Sequence, residues 1–350
     1  MSASVVLLPG DGIGPEVVDA ARAVLTHWQR AGDIDVTIAE ALVGGAAIDA
    51  TGDPLPAATR DACRNADAVL LGAVGGPKWS DPAAAVRPEQ GLLALRRELG
   101  VFANLRPVKP LRALYDASPL RADRLEGTDL MVVRELTGGI YFGAKERTDT
   151  TASDLCTYSV VEVERIVRVA AGLAAGRRGR LVSVDKANVL ETSRLWRATA
   201  ERVIAEEFPE IRLEHMLVDA AAMHLLSRPA SFDVVVTENM FGDILTDEAS
   251  MLAGSMGMLP SASLGNDRVG LYEPIHGSAP DIAGQGIANP CGTLASLAML
   301  LRHSLNLPAL AVQLERAIER AIVDGIRTRD LAADSTVTTA AMTEAVLARL

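Results

Sequence analysis

The 350-residue sequence contains few cysteines and no long apolar run. Its three cysteines are scattered without CxxC spacing, which offers neither a disulfide framework nor a zinc site; they are Cys63, Cys156 and Cys291. No stretch approaches the roughly 18 continuous apolar residues of a membrane span. The first residues also lack the positive charge of a signal peptide. We therefore expect a cytoplasmic protein.

Basic and aromatic residues are also in short supply. The chain has 34 Lys and Arg against 45 Asp and Glu, a net charge of −11, whereas nucleic-acid-binding proteins show a basic surface. Aromatic residues make up 3%, so the core must consist mainly of Leu, Val, Ile and Ala. The length suits two lobes. An acidic protein that binds an acidic substrate must concentrate its arginines locally.

Short β-branched runs alternate with longer helical patterns, which predicts α/β architecture with a largely parallel sheet. Ligands in such folds gather at the carboxyl ends of strands. There is no internal repeat or Pro/Ser-rich linker, so a second lobe is expected to arise by chain crossing. The predicted strands are Val5–Leu8, Ala68–Val74, Leu130–Arg134, Leu181–Val184 and Phe232–Thr237. The predicted helices are Gly14–Arg30, Gln90–Leu99, Val160–Ala175, Val189–Glu207, Asp243–Ala253, Gly292–Leu305 and Ala309–Asp324.

A glycine cluster at Gly10–Glu16 follows the first strand directly. It resembles a dinucleotide-binding fingerprint, but Pro15 or Val17 stands where the third glycine of GxGxxG is required. Pro15 suits the first turn of a helix. A tight strand-to-helix turn is therefore favoured over a Rossmann phosphate loop.

Arginines provide candidate carboxylate-binding groups. On one predicted helix, Glu89, Leu93 and Arg96 share a face with Leu92 beside it, which indicates either an acid-binding surface or a salt bridge along a core leucine stripe. Arg106 and Arg134 add two further forks for carboxylates. Three arginines would neutralise a dicarboxylate.

Two proton-transfer candidates follow predicted strands. Tyr141 ends the glycine-loosened turn after Arg134, where it could present a hydroxyl. Lys186 lies just past another strand, as a surface residue or as a base whose pKa is lowered by burial and nearby cations.

Asp243 and Asp247 are four residues apart on one helical face, where like charges repel. A divalent cation would turn this cost into ligation, although proximity to the helix N-terminus also accommodates carboxylates. Asp219, after Met216–Val218, could supply a third ligand. Oxygen ligation of this kind suits Mg²⁺ or Mn²⁺.

The stretch Glu273–Pro290 is rich in glycine, proline and small residues, which predicts a loop whose backbone approaches a ligand closely. A plain surface loop is the alternative. His276 could pack against an adenine ring. Asp281 could accept hydrogen bonds from a ribose diol and would repel a 2′-phosphate.

Nine motifs together resemble the metal-dependent β-decarboxylating dehydrogenases, the isocitrate/isopropylmalate dehydrogenase family. The resemblance covers nearly the whole chain. The motifs are GDGIGPE at 10–16, GAVGGPKW at 72–79, GLLALR at 91–96, FANLRP at 102–107, VRELTGGIYFG at 133–143, SVDKANVL at 183–190, NMFGDILTDE at 239–248, GSMGMLPSASLG at 254–265 and EPIHGSAPDIAG at 273–284.

The resemblance implies a role for each matching residue. Lys186 would take the hydroxyl proton, and Tyr141 would protonate the enolate after CO₂ is lost. Substrate would be bound by Arg96, Arg106, Arg134, Asp219, Leu92, Leu93, Glu89 and Val189. The divalent cation, Mg²⁺ or Mn²⁺, would be bound by Asp219, Asp243 and Asp247. NAD would be bound by Glu273, His276, Gly277, Ser278, Ala279, Pro280, Asp281 and Asn289.

The resemblance also implies a two-domain isopropylmalate/isocitrate dehydrogenase-like α/β fold that is not a true Rossmann fold. Residues 1–101 with 254–350 would form the cofactor-binding domain, and 102–253 the substrate, metal and dimerisation domain. Members of the family are homodimers that share active sites, so Lys186 and Asp219 would act in the partner subunit's site.

Three residues select among the family's substrates and cofactors. Leu92 and Leu93 suit an isopropyl group, and Asp281 favours NAD over NADP. We therefore expect oxidative decarboxylation of 3-isopropylmalate to 4-methyl-2-oxopentanoate, a step of leucine biosynthesis. The alternatives are another malate-type acid, such as tartrate or homoisocitrate, or a non-catalytic regulatory subunit. The segment Arg329–Asp334 departs from the family's usual glycine pair.

Overall fold

A computed structural model describes residues 2–79, 81, 84–266, 269–331 and 335–350. The chain divides into two compact units. Unit 1 comprises Met1–Val101 and Gly254–Leu350, and unit 2 comprises Phe102–Ala253. Because unit 1 is made from two separate stretches of chain, unit 2 is an insertion within it.

The strands, in chain order, are β1 (Ala3–Gly10), β2 (Val36–Glu40), β3 (Ala68–Ala73), β4 (Ala103–Val108), β5 (Leu130–Glu135), β6 (Lys145–Arg147), β7 (Ala152–Asp154), β8 (Arg180–Asp185), β9 (Arg212–Leu217), β10 (Val234–Thr237), β11 (Pro260–Leu264) and β12 (Gly270–Pro274). The helices are α1 (Gly14–Ala31), α2 (Gly44–Thr51), α3 (Ala57–Arg64), α4 (Pro88–Glu98), α5 (Ala122–Leu125), α6 (Val160–Ala175), α7 (Glu191–Glu207), α8 (Val218–Ser227), α9 (Asn239–Ser250), α10 (Cys291–His303), α11 (Pro308–Val323) and α12 (Thr339–Leu347).

Unit 1 contains strands in the order β2-β1-β3-β12-β11. All neighbours are parallel except β11 and β12. Every residue of β3 is buried, as expected for a central parallel strand with helices on both faces. Helix α1 begins with Pro15 in its first turn and ends at Gly32, whose φ of 82° is the left-handed geometry of a glycine cap.

Unit 2 contains strands in the order β4-β5-β10-β8-β9. Strand β4 runs antiparallel to β5, whereas β5, β10, β8 and β9 are mutually parallel. The carboxyl ends of these four parallel strands therefore lie along the same side of the sheet, and we call this side the unit 2 edge. Helix α6 begins at a capping box in which Ser159 and Glu162 satisfy each other's backbone N–H groups.

The α/β prediction is confirmed, and α6 has the predicted bounds. Several predicted boundaries were wrong. Helix α9 begins at Asn239 rather than Asp243, because the Glu238 carboxylate caps it by accepting from the Phe241 N–H at 2.7 Å. Helix α7 begins at Glu191 rather than Val189, since residues 187–190 form a turn. Strand β10 begins at Val234 rather than Phe232.

Other segments of the prediction also need correction. The expected loop at Glu273–Pro290 begins with the last two residues of β12 and contains a short 3-10 turn at Pro280–Ile282. Asp219 lies in the first turn of α8, a helix that was not predicted. Strands β2, β4, β6, β7, β9, β11 and β12 were not predicted. Within the described ranges, no helix is both long and apolar enough to cross a membrane.

Candidate active site

Three polar residues singled out in the sequence lie at the unit 2 edge, together with Asn239. Arg134 is the last residue but one of β5, and Asn239 follows β10. Lys186 follows β8, and Asp219 lies just beyond β9. Neighbouring strands are about 4.8 Å apart, so β8 lies roughly 10 Å from β5 along this edge. The strand order therefore separates Arg134 from Lys186.

Two buried arginines lie against helix α9. Arg134 is 3% exposed; it donates from Nε and Nη2 to Asn239 Oδ1 at 3.1 and 2.8 Å and forms an ion pair with Asp243. Arg106 is 8% exposed and donates to Asn104 Oδ1 at 2.7 Å and Thr246 Oγ1 at 2.6 Å. Each guanidinium group is thus held in place by neutral acceptors in addition to the carboxylates near it.

Helix α9 presents two carboxylates to these arginines. Asp243 lies 3.8 Å from Arg106, and Asp247 lies 3.7 Å from the same guanidinium. Burial and the neighbouring Asp243 charge raise the pKa of Asp247 despite the nearby arginines. The two aspartates therefore repel each other on one helical face, as the sequence predicts.

Close packing of α9 against β5 depends on Gly242. A Cβ at this position would lie 2.6 Å from Cγ of Arg134 and 2.8 Å from its Cβ. Any larger residue would have to displace the arginine stem. The glycine therefore sets the distance between the helix that carries Asp243 and the strand that carries Arg134.

Tyr141 ends a 3-10 turn, Gly139–Tyr141, and donates to Asp243 Oδ2 at 3.0 Å. Arg134 lies over its ring, 5.9 Å from the centroid. Burial and the charge of Asp243 raise the pKa of the phenol. The hydroxyl is therefore kept protonated, which is the state a proton donor requires.

Lys186 and Asp219 form a separate pair, with Nζ donating to Oδ1 at 2.7 Å. This hydrogen bond lowers the pKa of the Asp219 carboxyl. The described part of the chain contains no group of three or more His, Cys, Asp or Glu side chains that could hold a metal. A single chain thus brings Asp243 and Asp247 together and does not add Asp219. Val189, beside the pair, is 62% exposed.

In unit 1, helix α4 carries the predicted substrate-binding face. Leu92 and Leu93 are half-buried and Glu89 is exposed. Arg96 is buried and donates from Nη2 to Glu273 Oε1 at 2.8 Å. Its Nε is also buried, and it has no hydrogen-bond partner within the described ranges. The buried guanidinium therefore retains one unused donor.

A cavity of about 440 Å³ in unit 1 lies beside the predicted cofactor loop. His276, Ala279, Ile282 and Asn289 are among the residues lining it. Burial lowers the pKa of His276, so its ring is neutral, and Nε2 finds no partner among the described residues. Ala279 has a φ of 38°, a left-handed conformation that costs a non-glycine residue energy. Such strain is common where a backbone is shaped around a ligand.

The far wall of this cavity includes Asp330, to which the sequence assigned no role. Asp330 accepts hydrogen bonds from Ser255, Thr328 and Asn289, the last at 3.0 Å. Asn289 in turn accepts from the Cys291 N–H at 3.0 Å, which fixes its amide orientation. Residues 332–334 of the atypical segment Arg329–Asp334 lie outside the described ranges.

The Gly10–Glu16 turn packs against the loop within Glu273–Pro290 and hydrogen-bonds to it. The Asp11 carboxylate accepts from the N–H groups of Gly45, Ala46 and Gly75 at 2.7–2.8 Å. The Ile13 N–H donates to the Ser278 carbonyl at 2.8 Å, and a Cβ on Gly12 would lie 2.0 Å from that oxygen. The turn is therefore structural, as the missing third glycine indicates.

Comparison with known proteins then decides the family. The sequence model described as isocitrate/isopropylmalate dehydrogenase matches residues 4–346. The chain belongs to this family.

Relatives match over their full lengths. A 3-isopropylmalate dehydrogenase of Rhodopirellula baltica is 60% identical, with 100% of this chain and 99% of the relative covered. The 3-isopropylmalate dehydrogenase of Bacillus subtilis is 53% identical over 100% of this chain and 98% of the relative. Among solved structures, isocitrate dehydrogenase from Methylococcus capsulatus superposes with a TM-score of 0.88 at 36% identity, covering 99% of each chain. The predicted family is confirmed.

The residues present fit both groups that the family implies. Asp243 and Asp247 provide hard oxygen donors on one face of α9, and their mutual repulsion would be relieved by a cation. The cavity beside His276 offers a flat neutral ring with an unpartnered nitrogen. The Asp281 carboxylate is exposed and makes no hydrogen bond or ion pair within the described ranges. Both features suit an adenine nucleoside.

Sequence reasoning missed the residues that hold the arginines in place. Asn239, Asn104 and Thr246 are buried and accept hydrogen bonds from Arg134 or Arg106. Short polar residues of this kind carry no periodic signal. Asn239 could have been found by its position, because it directly follows the end of a buried strand.

Proposed function

We propose that this chain catalyses the oxidative decarboxylation of 3-isopropylmalate to 4-methyl-2-oxopentanoate in leucine biosynthesis, with NAD and Mg²⁺ or Mn²⁺. The observation that carries the proposal is the cluster of Arg106, Arg134, Tyr141, Asp243 and Asp247. It combines anion-binding, metal-binding and proton-donating groups. The relatives named 3-isopropylmalate dehydrogenase support the choice of substrate.

Substrate recognition begins with the buried guanidinium groups. Arginine remains charged when buried and matches the two oxygens of a carboxylate. Arg106 and Arg134 would bind and orient the substrate carboxylates, with Arg96 as the third cation. Because neutral side chains hold both unit 2 arginines, their geometry is set before the substrate arrives. Fixed orientation is worth several kcal/mol in such reactions.

Proton transfer would be carried out by two side chains. The Nζ of Lys186 would accept the substrate hydroxyl proton, and the Tyr141 hydroxyl would deliver a proton to the carbon that loses CO₂. Asp243 and Asp247, together with Asp219, would hold the divalent cation. When bound, Mg²⁺ or Mn²⁺ supplies Lewis-acid polarisation, and NAD accepts the hydride. The raised pKa of Tyr141 keeps its hydroxyl protonated, so that the proton is present when it is needed.

Substrate selection would come from α4. Leu92 and Leu93 are half-buried, one turn before Arg96. They would contact the isopropyl group, which gains from leaving water, and they offer nothing to a second carboxylate. Glu89 and Val189 complete the proposed substrate-binding set.

We assign cofactor binding to unit 1 and substrate binding, metal binding and dimerisation to unit 2. The cavity beside His276 would accept the adenine, and Asp281 the ribose hydroxyls. The remaining proposed contacts are made by Glu273, Gly277, Ser278, Ala279, Pro280 and Asn289. An acid at position 281 disfavours a 2′-phosphate. Three free cysteines support the cytoplasm as the location of the protein.

We also propose that the active enzyme is a homodimer with shared sites. Large apolar side chains are exposed on two helices of unit 2 that pack together, Met223 and Leu226 on α8 and Ile244 on α9. The hairpin β6–β7 is exposed at every residue, although an isolated hairpin is at best marginally stable in water. A second copy would cover both features. Lys186 and Asp219, already paired, would enter the partner subunit's site together.

The reaction is tested by NAD reduction with purified protein and Mn²⁺. We expect catalytic efficiency to be highest with 3-isopropylmalate and much lower with isocitrate, tartrate and malate. A higher catalytic efficiency with tartrate or another malate-type acid would show that this acid is the substrate, and the proposed reaction class would stand. If NAD is not reduced with any of the four acids, the result would favour a non-catalytic role for the protein.

Shared sites are tested by complementation. Lys186→Ala and Asp243→Asn proteins, each nearly inactive, are unfolded and refolded together in equal amounts. If the lysine acts in the partner subunit's site, each heterodimer has one intact site, so the mixture should recover about a quarter of wild-type activity. If Lys186 acts in its own subunit, no site in the mixture is intact and activity stays near zero.

A further inference from the structure

The side-chain amide of Asn239 contacts two parts of the candidate site at once. Its Oδ1 accepts from Nε and Nη2 of Arg134, and its Nδ2 donates to the carbonyl of Gly138 at 3.1 Å. Asn239 is 1% exposed, so water does not replace either contact. One amide therefore joins a substrate-binding arginine to the turn that carries Tyr141.

This turn has little stiffness of its own. It begins with Gly138 and Gly139, and Gly139 has a φ of 75° that other residues rarely adopt. Glycine pairs leave the backbone free to take several conformations. The position of the Tyr141 hydroxyl therefore depends on contacts made to the turn from outside.

One such contact lies at the start of the turn. The fully buried Glu135 carboxylate accepts from the Gly138 N–H at 2.7 Å and from Arg165 at 3.0 Å. These bonds fix where the turn leaves β5 and do not involve Arg134. Tyr158 packs against both glycines, and its hydroxyl accepts from the Asn239 N–H at 3.0 Å. The Asp243 carboxylate contacts both the Tyr141 hydroxyl and Arg134 at the far end of the turn, whereas Asn239 connects the backbone at the start of the turn to the guanidinium.

We propose that Asn239 is a positioning residue that keeps Arg134 and Tyr141 in register. The inference rests on the proposed function, in which Arg134 holds a carboxylate and Tyr141 delivers the proton. In this proposal Asn239, which is 1% exposed, acts through Arg134 and Tyr141 and not by contact with substrate or cofactor. Its amide oxygen orients the Arg134 guanidinium, and its amide nitrogen orients the turn that carries Tyr141. The guanidinium and the tyrosine hydroxyl are therefore aligned on the same substrate molecule.

Asn239→Asp separates the two halves of this role. Next to Arg134 an aspartate stays ionised, so it keeps the acceptor for the guanidinium and loses the donor to Gly138. We expect the KM for 3-isopropylmalate to stay within about threefold and kcat to fall about 10- to 100-fold, as a small misplacement of a reacting group does. Asn239→Ala removes both contacts, so it should raise KM and lower kcat.

A double-mutant cycle with Tyr141→Phe distinguishes positioning from general damage. If Asn239 acts through the tyrosine, Asn239→Asp should lower kcat little or not at all in the Tyr141→Phe background. Thr237→Val is the matched control, because it removes one buried hydrogen bond, to the Val184 carbonyl, two residues away. It should leave kcat and KM unchanged. Unfolding midpoints from circular dichroism identify variants that are poorly folded, and Asn239→Ala replaces the aspartate variant if that protein does not fold.

Two results would overturn the proposal. Wild-type kcat in Asn239→Asp shows that the amide donor is not needed. An undiminished loss of kcat in the Tyr141→Phe background shows that Asn239 does not act through the tyrosine. If Tyr141→Phe alone has full activity, the proposed acid role fails as well, and this single variant identifies that failure separately.

Discussion

The two units prepare for their proposed ligands in opposite ways. In unit 2, the charged groups already contact one another: Arg134 pairs with Asp243, and Tyr141 donates to the same carboxylate. In unit 1, His276 Nε2 at the cavity and the Asp281 carboxylate on the neighbouring loop have no partner among the residues that the structure describes. On binding the proposed ligands, the charged groups of unit 2 would exchange partners, whereas the ligand in unit 1 would supply partners that are missing.

The difference follows from the chemistry of the ligands. Buried charges need a partner at all times, because an unpaired buried ion costs several kcal/mol. A site for a dicarboxylate and a divalent cation therefore has to satisfy itself in their absence. An adenine ring is flat and neutral, so its pocket can depend on shape and a few hydrogen bonds. Changes to unit 2 should consequently have larger effects than changes to unit 1.

The largest effect is expected from the unit 2 carboxylates. Asp243→Asn keeps the side-chain shape and removes one negative charge. Loss of an outer-shell partner costs about 10- to 100-fold in metal affinity, so loss of a direct ligand should weaken Mn²⁺ binding by about 100-fold or more. Binding is measured by titration calorimetry without substrate.

Glu248→Gln is the matched control, because it removes the same charge from the same helix at a half-buried position. It should leave Mn²⁺ affinity unchanged. Equal Mn²⁺ affinity in Asp243→Asn and wild type would mean that α9 does not hold the cation, and the contrast between the units would lose its basis.

An intermediate effect is expected on helix α4. Leu92→Ala should cost 3-isopropylmalate about 1–3 kcal/mol of transition-state stabilisation, the usual worth of lost methylene contacts in an apolar pocket. Malate lacks the alkyl group and should be affected far less. The ratio of kcat/KM for the two substrates measures the difference. Equal losses on both would show that Leu92 only packs the helix in place.

The smallest effect is expected at the rim of the cofactor cavity. Asp281→Lys removes a proposed ribose acceptor and adds a cation for a 2′-phosphate, so the preference for NAD over NADP should fall by about tenfold. Asp33→Lys, an equal charge change at an exposed position of unit 1, controls for long-range attraction. An unchanged ratio of kcat/KM for the two cofactors in Asp281→Lys would place the ribose elsewhere.

Strong local signals predicted the fold well. The helix at Val160–Ala175 has the predicted bounds because Ser159 and Glu162 form a capping box at its start. Strands β4 and β9 were missed because they carry arginine, asparagine, proline or glutamate in place of a β-branched run. Those strands form through their neighbours, since β4 pairs along its length with β5 and β9 with β8.

The charged residues of the candidate site could be predicted from the sequence, but the contacts that hold them in position could not. Arginines, aspartates and the tyrosine stand out because each is costly to bury without a purpose. The pairing of Lys186 with Asp219 could not be inferred, because it depends on the order of strands in the sheet. The same holds for Asp330, whose contacts with Ser255 and Asn289 join residues far apart in sequence.

The discontinuity of unit 1 has a consequence during protein synthesis. Strand β3 pairs with β12, so Leu70 must wait for Tyr272 before its side of the sheet is complete. At about 5–20 residues per second, the roughly 150 residues of unit 2 take on the order of 10–30 seconds to be made. Unit 2 is continuous and can fold as it emerges. Throughout that interval the apolar strand β3 lacks its partner β12, so the first 101 residues present an unpaired strand edge that a chaperone would have to protect.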